Sequence, residues 1–167
     1  LLLFTASFPI QTSRGARLRV SEEPAWLAWL HGHPRVLNRR ERRSLRSRPP
    51  EIPRDTHVYF FDGASRTRLG GRAASFGALL RVNGVVIARI AVYVGDHTNN
   101  ETEYYGMLAV LKHALTSQSD RIYIYGDSKL VIKQILGLWK CHAEHLMPLY
   151  EEGLSLVRRL HDRCQHG

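Results

Sequence analysis

Asn83-Gly84 stands between two runs that read as strands, Ser75 to Val82 and Val85 to Val94. An Asn-Gly pair favours a two-residue turn with both residues at positive φ, the geometry that lets two twisted strands fold back on each other. This segment is therefore expected to form an antiparallel hairpin. His57-Val58-Tyr59-Phe60-Phe61-Asp62 reads as a further strand ahead of it, with Gly70-Gly71 loosening the connection.

The period then changes from two to helical. Thr98-Asn99-Asn100-Glu101 has the form of a capping box, in which the Thr98 hydroxyl caps the amide of Glu101 and the Glu101 side chain reaches back. The helix should run to about Leu115, with Tyr104, Leu108, Leu111 and Leu115 on one stripe. A short strand, Ile122 to Tyr125, follows. Gly126-Asp127-Ser128 turns the chain into a second helix that buries Val131, Ile135 and Leu138. A third helix, roughly Ala143 to Leu160, carries Leu146, Leu149, Gly153, Val157 and Leu160 at helical spacing. Three antiparallel strands followed by α-β-α-α make an α/β chain with a mixed sheet, because the strand after the first helix returns by a crossover and pairs in parallel.

Three carboxylates stand out by position. Asp62 ends the first strand, Asp127 ends the fourth, and Glu103 lies early in the first helix. Glu103 heads a second stripe, with Met107, Val110 and Ala114, whose other members are apolar. A carboxylate beside a buried stripe needs compensation, and a shared cation supplies it. Mg²⁺ prefers oxygen ligands of this kind. Singly, each residue has an ordinary structural role: Asp62-Gly63 as a turn, Asp127 as a helix cap, Glu103 as a surface residue near the positive end of a helix.

Phe61-Asp62-Gly63-Ala64-Ser65, Thr98-Asn99-Asn100-Glu101-Thr102-Glu103-Tyr104 and Tyr125-Gly126-Asp127-Ser128-Lys129-Leu130-Val131 resemble, in order, the three leading motifs of type 1 ribonuclease H. The resemblance covers about residues 57–162. The segment Trp139 to Tyr150 resembles the compact branch found in standalone enzymes and retroelement polyproteins. The resemblance implies an RNase H-like mixed sheet and two-metal hydrolysis of the RNA strand of an RNA–DNA hybrid, with Mg²⁺ as the metal and Mn²⁺ as a substitute. It implies Asp62, Glu103 and Asp127 as catalytic metal ligands. It further implies contacts from Gly63, Ala64, Ser65, Asn99 and Asn100 to ribose 2′-hydroxyls, the group that distinguishes RNA from DNA. Ser128, Lys129, Gln134 and Trp139 are candidates for the DNA strand. The family's last motif carries a fourth carboxylate beyond a fifth strand. The sequence stops at Gly167 without it, so the expectation is a domain lacking its last strand and final helix. An alternative function follows, a catalytically impaired nucleic-acid-binding module or a retroelement polyprotein fragment.

Charge separates the rest of the chain. Residues 1–55 hold 11 Arg against 5 acids, seven of those Arg between Arg35 and Arg48, followed by Pro49-Pro50 and Pro53. Like charge and proline oppose a packed core, so 1–55 is expected to be a disordered basic arm and 56–167 the folded domain. Within the arm, Pro24 to Leu30 reads as a short helix or docking segment. The net charge of +9 favours a polyanionic partner. No apolar run reaches the roughly 18 residues of a membrane span. Leu1-Leu2-Leu3-Phe4 is short for a secretory signal, and the absence of an initial Met suits a fragment or a processed piece. Two cysteines, Cys141 and Cys164, fit a reducing compartment. An intracellular monomer without membrane attachment is expected, in nucleus or cytoplasm. Cys141, His142, His145, His161, Cys164 and His166 crowd the C-terminal end, at a spacing that matches no zinc pattern.

Overall fold

The computed structural model describes residues 10–11, 17–22, 52–119 and 121–166. Their strands are β1 (Ile10–Gln11), β2 (Arg17–Glu22), β3 (His57–Arg68), β4 (Gly71–Val82), β5 (Val85–Gly95) and β6 (Arg121–Gly126). The helices are α1 (Asn99–Thr116), α2 (Lys129–Ile135) and α3 (Met147–His166), with one 3₁₀ turn at Glu144–Leu146. The strands form one mixed sheet in the order β1-β2-β6-β3-β4-β5.

The hairpin forms as its sequence requires. Asn83 and Gly84 take φ of 52° and 81°, and β5 runs back antiparallel from Val82↔Val85. β3 is longer than expected. It does not stop at Asp62 but continues to Arg68, paired with β4 from His57↔Val82 to Arg68↔Gly71. Its second half, Ala64 to Arg68, is largely exposed, so no apolar alternation marks it as a strand. The antiparallel ladder alone extends it.

β6 enters the sheet parallel to β3, from His57↔Ile122 to Phe60↔Tyr125. On its other side it pairs in parallel with β2, from Arg17↔Arg121 to Glu22↔Gly126. Residues 10–11 and 17–22, within the segment expected to be a disordered arm, pair in the sheet. Along β2, Leu18 and Val20 alternate in sequence with Arg17, Arg19 and Ser21. The Arg35 to Arg48 run and the Pro24 to Leu30 segment lie outside the described residues.

α1 is buried along both of its stripes. Tyr104, Leu108 and Leu111 are at most 3% exposed, and Glu103, Met107, Val110 and Ala114 at most 5%. The helix packs on the sheet through β3 and β4 and on α3, so it needs two apolar faces. Gly153 lets α3 approach closely, since a Cβ there would strike Ile135 of α2. The third helix begins later than Ala143: the 3₁₀ turn precedes it, and Leu146 is buried there. Leu138, expected inside, is 48% exposed because α2 ends at Ile135 and Gly137 turns the chain outward at φ 71°. Among the described residues no helix is long and apolar enough to cross a membrane.

Candidate metal centre

The sheet forks where the parallel pairing of β3 with β6 ends. Beyond Phe60↔Tyr125, β3 stays with β4, while β6 parts from β3 and ends at Gly126, still paired with β2. Asp62 and Asp127 lie on the two sides of that fork. Asp62 is therefore within a continuing strand and not at its end. Gly126 makes the parting possible, because a Cβ there would collide with the Phe61 ring.

Glu103 is the fifth residue of α1, just past its first turn. The capping box is complete: Thr98 Oγ1 accepts from the Glu101 amide at 3.3 Å, and Glu101 Oε2 accepts from the Thr98 amide at 2.7 Å. Burial raises the Glu101 pKa, but hydrogen bonds from Thr98 and His97 outweigh it and hold the carboxyl at about 2. The cap sets where the helix begins, and so where Glu103 points. Gly63 lets that turn press onto β3. A Cβ on Gly63 would collide with the backbone nitrogen of Glu103 and lie 2.5 Å from the carbonyl carbon of Thr102. Gly106 does the same one turn later, with Phe61 Cβ 3.2 Å from its would-be Cβ. Gly106 was not singled out in the sequence. Its signal is a glycine inside an 18-residue helix, where glycine costs stability unless something packs close.

The result is a cluster. One carboxylate oxygen from each of Asp62, Glu103 and Asp127 lies within 4.8 Å of the others. Glu103 is 5% exposed, and its Oε2 is buried without a hydrogen-bond partner. Burial, then the charges of Asp127 and Asp62, push its pKa up to about 8 despite a hydrogen bond from the Gly63 backbone. Burial and the Asp127 charge also raise Asp62. An orphaned buried carboxylate oxygen beside two more carboxylates costs stability unless a cation arrives, and hard oxygen donors suit Mg²⁺. The donor set fits a divalent ion.

The other expected residues divide into two groups. Ser65 ties β3 to the start of α1: its hydroxyl donates to the His97 carbonyl at 2.6 Å, and its amide donates to Asn99 Oδ1 at 3.2 Å. Gly63, Ala64, Ser65 and Asn99 therefore share one lip of the centre, with exposed Asn100 next in the helix. On the α2 side, Ser128 Oγ caps the helix by accepting from the Val131 amide at 3.5 Å. The ammonium groups of Lys129 and Lys133 lie 5.9 and 5.0 Å from the Trp139 ring centroid, and Trp139 is 44% exposed. Gln134 departs from expectation. It is buried, accepting from Tyr104 Oη at 2.6 Å and donating to the Lys140 carbonyl at 3.1 Å, so it faces the interior and not a nucleic acid.

A family model described as reverse transcriptase-like matches residues 60–166. This chain belongs to that family. Its relatives place it in the ribonuclease H branch. It is 40% identical over 83 residues to a ribonuclease HI of Halobacterium salinarum, covering 50% of this chain and 41% of that protein. The N-terminal RNase H domain of a Mycobacterium tuberculosis protein, solved as a fusion with maltose-binding protein, superposes with a TM-score of 0.55 at 32% identity, covering 62% of this chain and 75% of that one. The crystal structure of the Halobacterium salinarum RNase H1 superposes with a TM-score of 0.55 at 30% identity, covering 62% and 78%. The chain thus spans about two-fifths of the Halobacterium relative's full sequence. Within this reverse transcriptase-like domain, Asp62, Glu103 and Asp127 form the only group of three or more Cys, His, Asp or Glu able to share a metal ion among the described residues. Cys141 is buried, its thiol directed to the Ala143 carbonyl at 3.7 Å.

Proposed function

We propose that this chain is a metal-dependent ribonuclease H that cuts the RNA strand of RNA–DNA hybrids. The observation that carries the reading is the convergence of Asp62, Glu103 and Asp127, with Glu103 Oε2 buried and unpartnered. The names of its relatives, a ribonuclease HI and an RNase H1, supply the ribonuclease activity, and the motifs' resemblance to type 1 ribonuclease H supplies the hybrid. Asp62, Glu103 and Asp127 would together hold the Mg²⁺. When bound, such ions lower the pKa of a water and stabilise charge on the departing oxygen.

The protein's own groups orient the hybrid. The lip formed by Gly63, Ala64, Ser65, Asn99 and Asn100 offers backbone and amide groups to ribose 2′-hydroxyls, next to the carboxylates. Lys129, Lys133 and the exposed Trp139 face give the DNA strand a cationic and aromatic surface. Ser128 acts as a cap and Gln134 as an internal brace, so both serve that surface by position.

The test is cleavage of a labelled hybrid, DNA duplex and RNA duplex in Mg²⁺, Mn²⁺ and EDTA. The hybrid's RNA strand alone should be cut, EDTA should stop the reaction, and Asp62→Asn should slow it by about 10² or more while hybrid binding persists. A wild-type chain that binds hybrid but leaves it uncut in both metals is a binding module.

A further inference from the structure

β5 ends the sheet on the side away from β2, and no described element pairs with its outer edge. The strand has 11 residues, and Arg89 is its single charged one. Edge strands are usually kept short or guarded by charges and prolines, because a row of free amides and carbonyls recruits another strand. The ladder with β4 shifts register between Ala74 and Ser75 and between Leu80 and Arg81, but from Leu80↔Ala88 to Ser75↔Tyr93 it is regular. The middle of the strand therefore offers an undistorted edge. Val85, Val86, Ile87, Ile90, Val92 and Tyr93 are 38–71% exposed along it.

The order of side chains points to the occupant. Arg89, Ala91 and Tyr93 pair with Leu79, Gly77 and Ser75 of β4 and share one face of the sheet. Ile90 and Val92 pair with Ala78 and Phe76 on the face that carries α1. An antiparallel copy of β5, related by a twofold axis at Ala91, sets each Arg89 opposite the partner copy's Tyr93 and each Ile90 opposite the partner copy's Val92. The strand's one cation then meets an aromatic ring and apolar meets apolar, twice over. An axis at Arg89 would oppose like charges, and one at Ile90 would leave Arg89 against Ala91. β5 is thus its own complement in one register. The six exposed side chains present on the order of 600 Å² per copy, so a twofold pair buries at most about 1,200 Å², the lower end for a specific interface and enough for a reversible dimer. β4 separates β5 from β3, so the pairing leaves Asp62, Glu103 and Asp127 uncovered. We propose that β5 is a self-association edge, through which two copies of this chain join their sheets antiparallel about Ala91.

The test is sedimentation equilibrium of the full 167-residue chain from about 1 to about 500 µM in about 0.5 M salt, which screens the repulsion between two basic chains. Wild type should pass from monomer to dimer within that range. Ile90→Lys, which charges the apolar face of the seam, should raise the midpoint concentration at least about tenfold, and Tyr93→Ser at least about threefold. With Cys164→Ser as the background, Ala91→Cys should crosslink to its own copy under mild oxidation and Arg89→Cys should not, because only position 91 meets itself. Hydrogen exchange in the unmutated chain guards against a variant that does not fold: the β5 amides on the free edge should exchange more slowly as concentration rises. A chain that stays monomeric throughout overturns the proposal and leaves an extended strand of another protein as the occupant. A dimer that Ile90→Lys leaves intact, or that Ala91→Cys does not crosslink, uses another surface and overturns it as well.

Discussion

Glu103 links the metal centre to stability through its proton. Its ordinary pKa of 4.5 is raised to about 8 by burial and by Asp127 and Asp62. Between those values the folded, metal-free chain binds a proton that the unfolded chain has released. The stabilisation is therefore complete below about pH 4.5 and is lost as pH rises through about 8. In EDTA, the melting temperature should fall by at least about 3 °C from pH 5 to pH 8.5, Glu103→Gln should flatten that slope, and Mg²⁺ should restore the high-pH value. A flat wild-type profile in EDTA would mean that Glu103 ionises as a solvated group. The close approach of α1 to β3 gives a second expectation. Gly63→Ala sets a Cβ against helix backbone, which cannot rotate away, and should cost about 3 kcal/mol and most of the activity. Gly77→Ala, whose Cβ would meet only the Ile90 carbonyl oxygen at 3.6 Å, should change stability by less than about 0.5 kcal/mol when both variants are titrated with urea. The three carboxylates were legible in sequence because each follows a local signal, a strand run or a cap. Gln134 was not, because the group that engages its carbonyl, Tyr104 Oη, is 30 residues away and no local pattern announces it.

At the scale of elements, the hairpin and the first helix could be read directly, since an Asn-Gly turn and a capping box are short-range chemistry. Elements held by distant partners could not. The outer half of β3 is exposed and owes its conformation to β4, and β2 is a strand because β6, about a hundred residues later, offers it a parallel edge. Its Arg-rich sequence looked like part of a solvated arm. The short helix α2 shows how such long-range contacts shape the surface. Gln134 joins Tyr104 of α1 to the Lys140 carbonyl, and so fixes the loop that carries Trp139 beside Lys129 and Lys133. Tyr104→Phe leaves the Gln134 carbonyl buried without its donor and should cost roughly 1–3 kcal/mol in chemical denaturation. It should also weaken hybrid binding a few-fold without changing Mn²⁺ binding, because the brace lies on the Trp139 side. An unchanged hybrid affinity in that variant would separate the Trp139 loop from substrate binding.

For the whole molecule, charge and fold divide the work of recognition. The described domain gathers Asp62, Glu103 and Asp127 at one end of the sheet, and the lip beside them is the surface proposed to tell ribose from deoxyribose. Residues 35–48 bring seven Arg and one Glu, a charge density expected to engage phosphates and not the sugar. Each phosphate neutralised releases counterions, which gives a steep dependence on salt and no preference among duplexes. Replacing all seven Arg with Gln should therefore lower affinity for hybrid, DNA duplex and RNA duplex by similar factors. It should also flatten the slope of log affinity against log salt by up to about 6, the limit if all seven contact phosphate. The measurement is fluorescence anisotropy from 50 to 200 mM salt, roughly the range over which such contacts lose most of their affinity, with EDTA present to prevent cleavage. The ratio of hybrid to DNA affinity should stay within about twofold of wild type, since the residues proposed to set it are in the folded domain. A loss confined to the hybrid would place RNA discrimination in the Arg run and take it away from Asn99, Asn100 and the Gly63 lip.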